Sequence, residues 1–364
     1  MAQKKDFTAI MEALGKGSFP FVVYRTPGEN EVRIVIDYDP KLSVVTDAGK
    51  DRGFVFAPFA SDSIPAVLLR PAAVTRIPVS DLPYVRTDED AIFDYGDEIS
   101  LKQHYTALVE KALDALSEGV LKKIVTSRCV KIPYAHINVA GLFAAMCAKY
   151  PESFVYYFSH PQVGQWAGAT PELLLLRRGK EVHTMSLAGT MPYQGEQMYR
   201  WDTKNVEEQA IVSIFIKDAL ERSGVATVSV SKPANQVAGP VVHLCSHING
   251  QAPKDVDMNV LLKNLAPTPA LCGYPRKEAM EFIRRYEGYS REFYGGYLGE
   301  LNMAGEDSAE LYVNIRCLQV AKEDAILYAG GGVVPGSDPE SEWEETSRKL
   351  SAVGSVLGGF ITIR

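Results

Sequence analysis

The sequence predicts an α+β protein built on antiparallel sheets. Short alternating apolar runs come in consecutive pairs, as hairpin-connected strands do. Helical periodicities fall in separate blocks rather than between successive strands, which argues against a doubly wound parallel fold. With 364 residues, 46% of them hydrophobic, the chain can bury a large core, and its length allows one big domain or two ordinary ones.

Residues 19–95 read as short strands, FVVYR, EVRIVID, GFVFAPF and AVLLRPA, broken by Pro, Gly and Asp. A polar break at 96–100 leads into a helix. Ser100 is its expected N-cap, and Gln103 completes a capping box. Leu101, Tyr105, Leu108, Val109, Ala112 and Leu116 form its apolar stripe, and Gly119 ends it. Strands follow at KKIVTSRCVKI, SFVYYFSH, QWAGA, ELLLLRR and EVHTMSL, then a long helix over about 203–222. Later strands are VVHLCSHI, GGYLGEL, LYVNIRCLQV and AILYAGGG. Read as one strand, LYVNIRCLQV places Leu311, Val313, Ile315 and Cys317 on one face and Tyr312, Asn314 and Arg316 on the other.

Composition narrows the function classes. Charged residues make up 23% and the net charge is −7, which argues against nucleic acid and requires a locally positive pocket for any anionic substrate. No apolar run reaches the ~20 residues of a membrane span. The N-terminal MAQKKDFTAI lacks a signal core, so a cytoplasmic location is expected. Five scattered cysteines without a CxxC fit reduced thiols better than disulfides or zinc.

The most informative stretch is 327–350, LYAGGGVVPGSDPESEWEETSRKL. Its three glycines permit close backbone approach to a ligand, and Pro335-Gly336 makes a turn. Asp338 caps a helix with Pro339 at its first position. Glu342, Glu345 and Lys349 share one face of that helix. Exposed N–H groups, carboxylates and an ammonium suit a magnesium ion and an anionic substrate; a surface helix with a Glu–Lys pair is the plainer reading. In the 203–222 helix, Glu208 is the one charge on a stripe of Ile211, Val212, Phe215, Ile216, Ala219 and Leu220. Such a carboxylate needs a metal or a partner, unless it reaches solvent and pairs with Lys204. Arg316 suits a carboxylate fork or an ordinary outward strand position. Lys123 and Glu172 are unremarkable alone. His243 and His247 lie on a strand with no glutamate after His243, which excludes a zinc-protease motif.

Taken together, KIVTSR, GATPELLL, SLAGT, KNVEEQ, VVHL, PTPALCGYP, REFYGGYLG, LYVNIRC and AGGGVVPGSDPESEWEETSRK resemble, in order across residues 120–350, the chorismate-utilising enzymes. These are isochorismate synthase, salicylate synthase, and the large subunits of anthranilate and aminodeoxychorismate synthase. The resemblance implies large antiparallel sheets packed face to face, helices outside, and a site in the cleft between them. It covers a catalytic domain over 96–364. Residues 1–95 match loosely and are expected to pack into the same fold.

The resemblance also implies roles. Glu208 and Glu345 would hold Mg2+, with Glu342 near it. Glu172 would be the general acid that protonates the departing ring hydroxyl. Arg316 would bind the enolpyruvyl carboxylate of chorismate. Lys349 and the backbone at Gly189, Gly273, Gly331 and Gly332 would hold anionic groups, and His243 would position substrate. Three positions bear on subtype. Lys123 stands where ammonia-using relatives have glutamine, and can serve as base for water. Ala188 stands where aminodeoxychorismate synthases carry a nucleophilic lysine. Ala270-Leu271 resembles isochorismate synthases, whereas pyruvate-eliminating relatives have threonine in place of the alanine. The implied activity is therefore isochorismate synthesis by a monomer that needs no glutamine amidotransferase. The product would be destined for menaquinone or a catechol siderophore. A salicylate synthase or an aminating subunit are the alternatives. The chemistry makes two demands. An ordinary lysine, pKa ~10.4, is neutral about once in a thousand near pH 7, so burial and positive neighbours must favour the neutral amine of Lys123. Glu172 must be raised enough to keep its proton.

Overall fold

The computed structural model describes residues 6–62, 64–86, 98–195, 198–238 and 241–363. In chain order its elements are α1 (Phe7–Lys16), β1 (Phe21–Arg25), β2 (Glu31–Ile36), β3 (Gly53–Ala57), β4 (Val67–Leu69), β5 (Ala73–Pro78), α2 (Glu98–Ser117), β6 (Lys123–Ile137), α3 (Val139–Lys149), β7 (Phe154–His160), β8 (Gly164–Thr170), β9 (Leu173–Arg178) and β10 (Glu181–Pro192). Then come α4 (Thr203–Arg222), β11 (Ala226–Val230), β12 (Ala234–Ala238), β13 (Val241–Gln251), α5 (Met258–Leu265), β14 (Gly273–Tyr274), α6 (Arg276–Tyr286), β15 (Tyr297–Leu301), β16 (Ser308–Val313), β17 (Cys317–Val320), β18 (Asp324–Val333), α7 (Pro339–Leu357) and β19 (Ile361–Ile363).

Two antiparallel sheets form the body. A ten-stranded sheet runs β14–β6–β18–β17–β8–β7–β1–β2–β5, with β19 also paired to β6. A nine-stranded sheet runs β11–β13–β10–β9–β16–β15–β3–β4, with β12 also paired to β13. Between them lies an aromatic layer that draws Tyr24, Tyr156, Phe158, Trp166 and Tyr328 from one sheet and Phe54, Phe56 and Tyr312 from the other. Helices cover the outer faces: α1, α3 and α7 share a core with the ten-stranded sheet, and α2, α4, α5 and α6 contribute to a second core. The fold is α+β with face-to-face antiparallel sheets. The strands before residue 79 build into both layers, since β1, β2 and β5 extend one sheet and β3 and β4 the other.

Two expectations need correction. Ser100 is not a cap, because α2 is already helical at Glu98. The stripe it was to introduce is real: Tyr105, Leu108, Val109, Ala112 and Leu116 are buried, and Gly119, at φ +78°, follows the helix end. LYVNIRCLQV is not one strand. Its first part pairs with β15 and β9 in the nine-stranded sheet, and Cys317–Val320 pairs with β8 and β18 in the ten-stranded one. The chain crosses between layers at Asn314–Arg316, where Arg316 takes φ +49°. Asn314 has no exposed surface, and both its amide groups are satisfied: Tyr156 Oη donates to Oδ1 at 2.6 Å, and Nδ2 donates to Phe293 O at 2.9 Å. Without such partners a buried crossing would strand polar backbone and side-chain groups. A second crossing lies beside it, where β8 of one sheet leads through Pro171 and Glu172 into β9 of the other. Helices α1, α3, α5 and α6 and strands β5, β11, β12, β14 and β19 went unread in the sequence.

Phe56 anchors the aromatic layer, with its ring 4.3 Å from that of Phe293 and 4.6 Å from that of Phe158. Phe56→Ala should cost about 3–5 kcal/mol of stability. Urea unfolding measures this, and a loss below ~1 kcal/mol would show that the two sheets are not held by this layer.

Candidate active site

The two sheet crossings face one cleft, with about 640 Å³ of open space including solvent at its mouth. From one crossing comes Glu172, and from the other Arg316; the crossings are tied by Ala169 N–H donating to Arg316 O at 3.0 Å and Val313 N–H donating to Glu172 O at 2.9 Å. The other walls are the first turns of β6, the bulge of β10, the face of α4, the loop before β14, the glycine end of β18, and α7. Lys123, Glu172, Gly189, Glu208, His243, Ala270, Leu271, Arg316, Gly332, Glu345 and Lys349 all line the cleft. Three further residues singled out in the sequence do not. Gly273 (φ +136°) pairs with β6, and a Cβ there would sit 2.4 Å from Lys123 O, so its need for glycine is explained by sheet packing. Gly331 and Glu342 face each other behind the wall.

Lys123 is 1% exposed and its Nζ lies 2.8 Å from Glu208 Oε1. The buried partner of Glu208 is therefore Lys123, not Lys204. A carboxylate rather than a cation stands next to the amine. Lys204 reaches instead to Glu342 Oε1 at 2.9 Å, where Ser337 Oγ also donates at 2.9 Å. Lys349 donates to Glu345 Oε1 at 2.6 Å and to Gly330 O at 2.9 Å. Each of the three acidic side chains thus has its own lysine. The glycine run makes room for this set: a Cβ at Gly332 would fall 2.2 Å from Glu208 Oε1, and one at Gly331 would fall 2.8 Å from Glu342 Oε2.

Burial dominates the titration of the site. Glu172 is 4% exposed, and its carboxyl is pushed up to about 8 by desolvation, against the pull of Lys123, Lys349 and Arg316. Glu342 is pushed up to about 7 by burial and by the neighbouring Glu345. Burial acts to raise Glu345 as well, but the Lys349 ammonium more than offsets it and the net shift is downward. His243 is pushed down to about 3 by burial and by the Arg316 guanidinium, so it is neutral at physiological pH. Its tautomer follows from its partners. Nδ1 faces Gly189 O at 3.1 Å and must carry the proton, leaving Nε2 to accept from Arg316 Nη2 at 3.2 Å. His243 thereby orients Arg316, a link that no spacing in the sequence shows.

The residues that would hold a hard divalent cation are Glu208 and Glu345, with Glu342 behind them. Glu342 Oε2 is buried and lacks a hydrogen-bond partner, and Glu208 and Glu345 both raise the carboxyl that carries it, to different degrees with burial. Oxygen ligands of this kind suit magnesium. Among the described residues no three His, Cys, Asp or Glu side chains are arranged as a ready-made metal site, and each of the three carboxylates is in contact with a lysine. Among the lining residues that escaped the sequence reading are two tyrosines. Tyr294 and Tyr328 stack on each other at 5.2 Å, and the phenol of Tyr294 lies close to Gly330. The REFYGG run marks Tyr294, but nothing in its spacing says that it faces the cleft.

Residues 83–358 match the family model described as chorismate binding enzyme. The chain belongs to the chorismate-binding enzymes. The isochorismate synthase MenF of Escherichia coli is 32% identical over 267 residues, covering 70% of this chain and 60% of MenF. The isochorismate synthase DhbC of Bacillus subtilis is 32% identical over 274 residues, covering 70% of this chain and 68% of DhbC. Among solved structures, the DhbC protein of Bacillus anthracis superposes with TM-score 0.78 at 24% identity, covering 96% of this chain and 99% of that one, which shows the shared fold. The chorismate-binding fold therefore accounts for the whole double-layered body, the first strands included. No helix among the described residues is long and apolar enough to cross a membrane.

The raised Glu172 carboxyl has a thermodynamic consequence. Its ordinary value is 4.5 and its folded value about 8, so between these limits the native state holds a proton that the unfolded chain has released. Stability contributed by this group falls as pH rises from 4.5 to 8. Glu172→Gln should flatten the decline in unfolding free energy between about pH 5 and pH 8. Parallel stability–pH curves for the two proteins would show that the carboxyl is not raised.

Proposed function

We propose that this chain is an isochorismate synthase that converts chorismate to isochorismate with magnesium and without an amidotransferase partner. The observation that carries the reading is that Lys123 and Glu172 open onto one buried cleft, beside Arg316 and Lys349, while position 188 is an alanine. Arg316, oriented by His243, and Lys349 are the cationic anchors for the two substrate carboxylates. Magnesium, when bound by Glu208 and Glu345 with Glu342 behind them, would draw electron density toward the ring carboxylate. Lys123 takes a proton from the attacking water as its oxygen bonds to the ring. Glu172 delivers its proton to the ring hydroxyl, which leaves as water as the C–O bond breaks. Net, one hydroxyl is added and one lost, and solvent returns the proton from Lys123 to Glu172. For Lys123 to act as base its pairing with Glu208 must loosen, and Glu208, which would be a ligand of the metal, is the group whose engagement would loosen it. Ala188 cannot form a covalent amine adduct, and Ala270 in the cleft wall supports release of product over elimination of pyruvate.

The test is an incubation of purified protein with chorismate and magnesium, with and without ammonium, products separated by chromatography. Isochorismate should appear and ammonium should change nothing. Salicylate with pyruvate, or anthranilate, would assign the chain to a different subtype. Lys123→Ala and Glu172→Ala should each lower kcat by about 10²-fold or more without unfolding the protein. Near-native turnover by either variant would remove its assigned role. With Glu172 as acid, kcat/KM should fall as pH rises through about 8. Chelation with EDTA should abolish turnover and added magnesium restore it, whereas unchanged activity in EDTA would exclude the metal's part.

A further inference from the structure

A buried ion pair outside the reacting groups is placed where β6 lacks a neighbour. Strand β14 pairs with β6 only through Gly273 and Tyr274, opposite Ile124 and Lys123. One step further on the same edge, Val125 N–H still donates to Cys272 O at 2.9 Å. There the partner segment ends. The next two edge groups, Val125 O and Ser127 N–H, are met by side chains. Arg291 Nη2 donates to Val125 O at 2.8 Å, and Ser127 N–H donates to Glu287 Oε1 at 2.7 Å. Arg291 and Glu287 are joined to each other by Nε to Oε2 at 2.6 Å and Nη2 to Oε1 at 2.5 Å. The remaining arm, Nη1, donates to Leu271 O at 2.7 Å. The guanidinium also lies 4.5 Å from the ring of Phe59.

We propose that Arg291, braced by Glu287, is a positioning residue that substitutes for the missing strand along β6 and sets the spacing between Lys123 and the Ala270–Leu271 wall of the cleft. The proposal builds on the function given above. Val125 and Leu271 both line the cleft, so one planar group grips two of its walls by their backbone. A fully buried ion pair is a poor source of net stability, since desolvation cancels much of its attraction. What it provides is geometry: five N–H donors in a rigid fork, aimed at two carbonyls and one carboxylate. A lysine keeps the charge but cannot span both carbonyls while holding the carboxylate in two-point contact. Substrate anchoring by Arg316 and Lys349 does not pass through this pair, so loosening it should affect turnover more than binding.

The experiment compares wild type, Arg291→Lys and Leu142→Ala. Leu142 is a fully buried residue of the α3 core, in a different layer, and its truncation calibrates the effect of lost stability alone. Arg291→Lys should lower kcat at least tenfold per folded enzyme and change KM less than threefold. Leu142→Ala should keep both near wild type despite an equal or larger fall in Tm. Amide hydrogen exchange in the full chain supplies a readout independent of turnover: peptides covering 121–127 and 268–275 should lose protection selectively in Arg291→Lys. If that variant does not fold, Glu287→Gln replaces it. Its amide oxygen still accepts from Ser127 but its grip on the guanidinium is weaker, and the same split is expected at smaller size. Turnover within twofold of wild type, or an equal fall of kcat in Leu142→Ala, would overturn the proposal. Unchanged exchange in the two segments would do so even if the enzyme's product proved to be something other than isochorismate, whereas selective loss of protection with no isochorismate from the wild type would overturn only the functional reading.

Discussion

Two strands change sheets side by side, and the site exists because of it. Within either sheet, alternation sends side chains into the interlayer core or toward the helices. At a crossing the pattern breaks. Glu172 follows Pro171 as the chain leaves one layer, and Arg316 takes φ +49° as it enters the other. Both side chains reach a cleft that ordinary strand positions could not share. The crossings hold each other through Arg316 O and Glu172 O, which accept from Ala169 and Val313. Asn314 absorbs the polar groups that a broken ladder leaves over. An acid and a cation are thus set where the two layers meet.

The charges in the cleft are arranged so that few are alone. Isolated ions at this depth would be too costly, and they respond by pairing or by shifting their protonation. Glu172 has no ion-pair partner within contact among the described residues, and burial pushes its carboxyl up to about 8. His243 is neutral because Arg316 and burial forbid a second positive charge, and its neutral ring then fixes Arg316 in place. Glu208, Glu342 and Glu345 each hold a lysine. On the proposed function, a divalent cation would compete with these ammonium groups for the carboxylates, and its binding at Glu208 would be linked to the availability of Lys123 as a base.

Much of this was legible in the sequence. Asp338, Pro339 and the three-and-four spacing of Glu342, Glu345 and Lys349 specified the start and face of α7, because capping and helical period are local physics. The isolated Glu208 on an apolar stripe pointed to a buried partner, since a coreward carboxylate is costly in any fold. The run of glycines announced a close approach but not its object, and the atoms that come close are the protein's own carboxylates. The misread strand has a local source. Periodicity extends a strand through LYVNIRCLQV because a crossing costs no apolar residue and leaves no gap in the alternation.

The sequence by itself determined the apolar faces of α2 and α4, the start of α7, the α+β class and, through its short motifs, the family. These depend on neighbours a few residues apart. The tertiary structure alone decided which lysine meets which glutamate, that His243 buttresses Arg316, that Gly273 and Gly331 serve packing behind the wall, and that Arg291 and Glu287 complete an unpaired strand edge. Those pairings join residues brought together only when two sheets close on each other. Burial there sets the cost of every unpaired charge, and no local pattern records it.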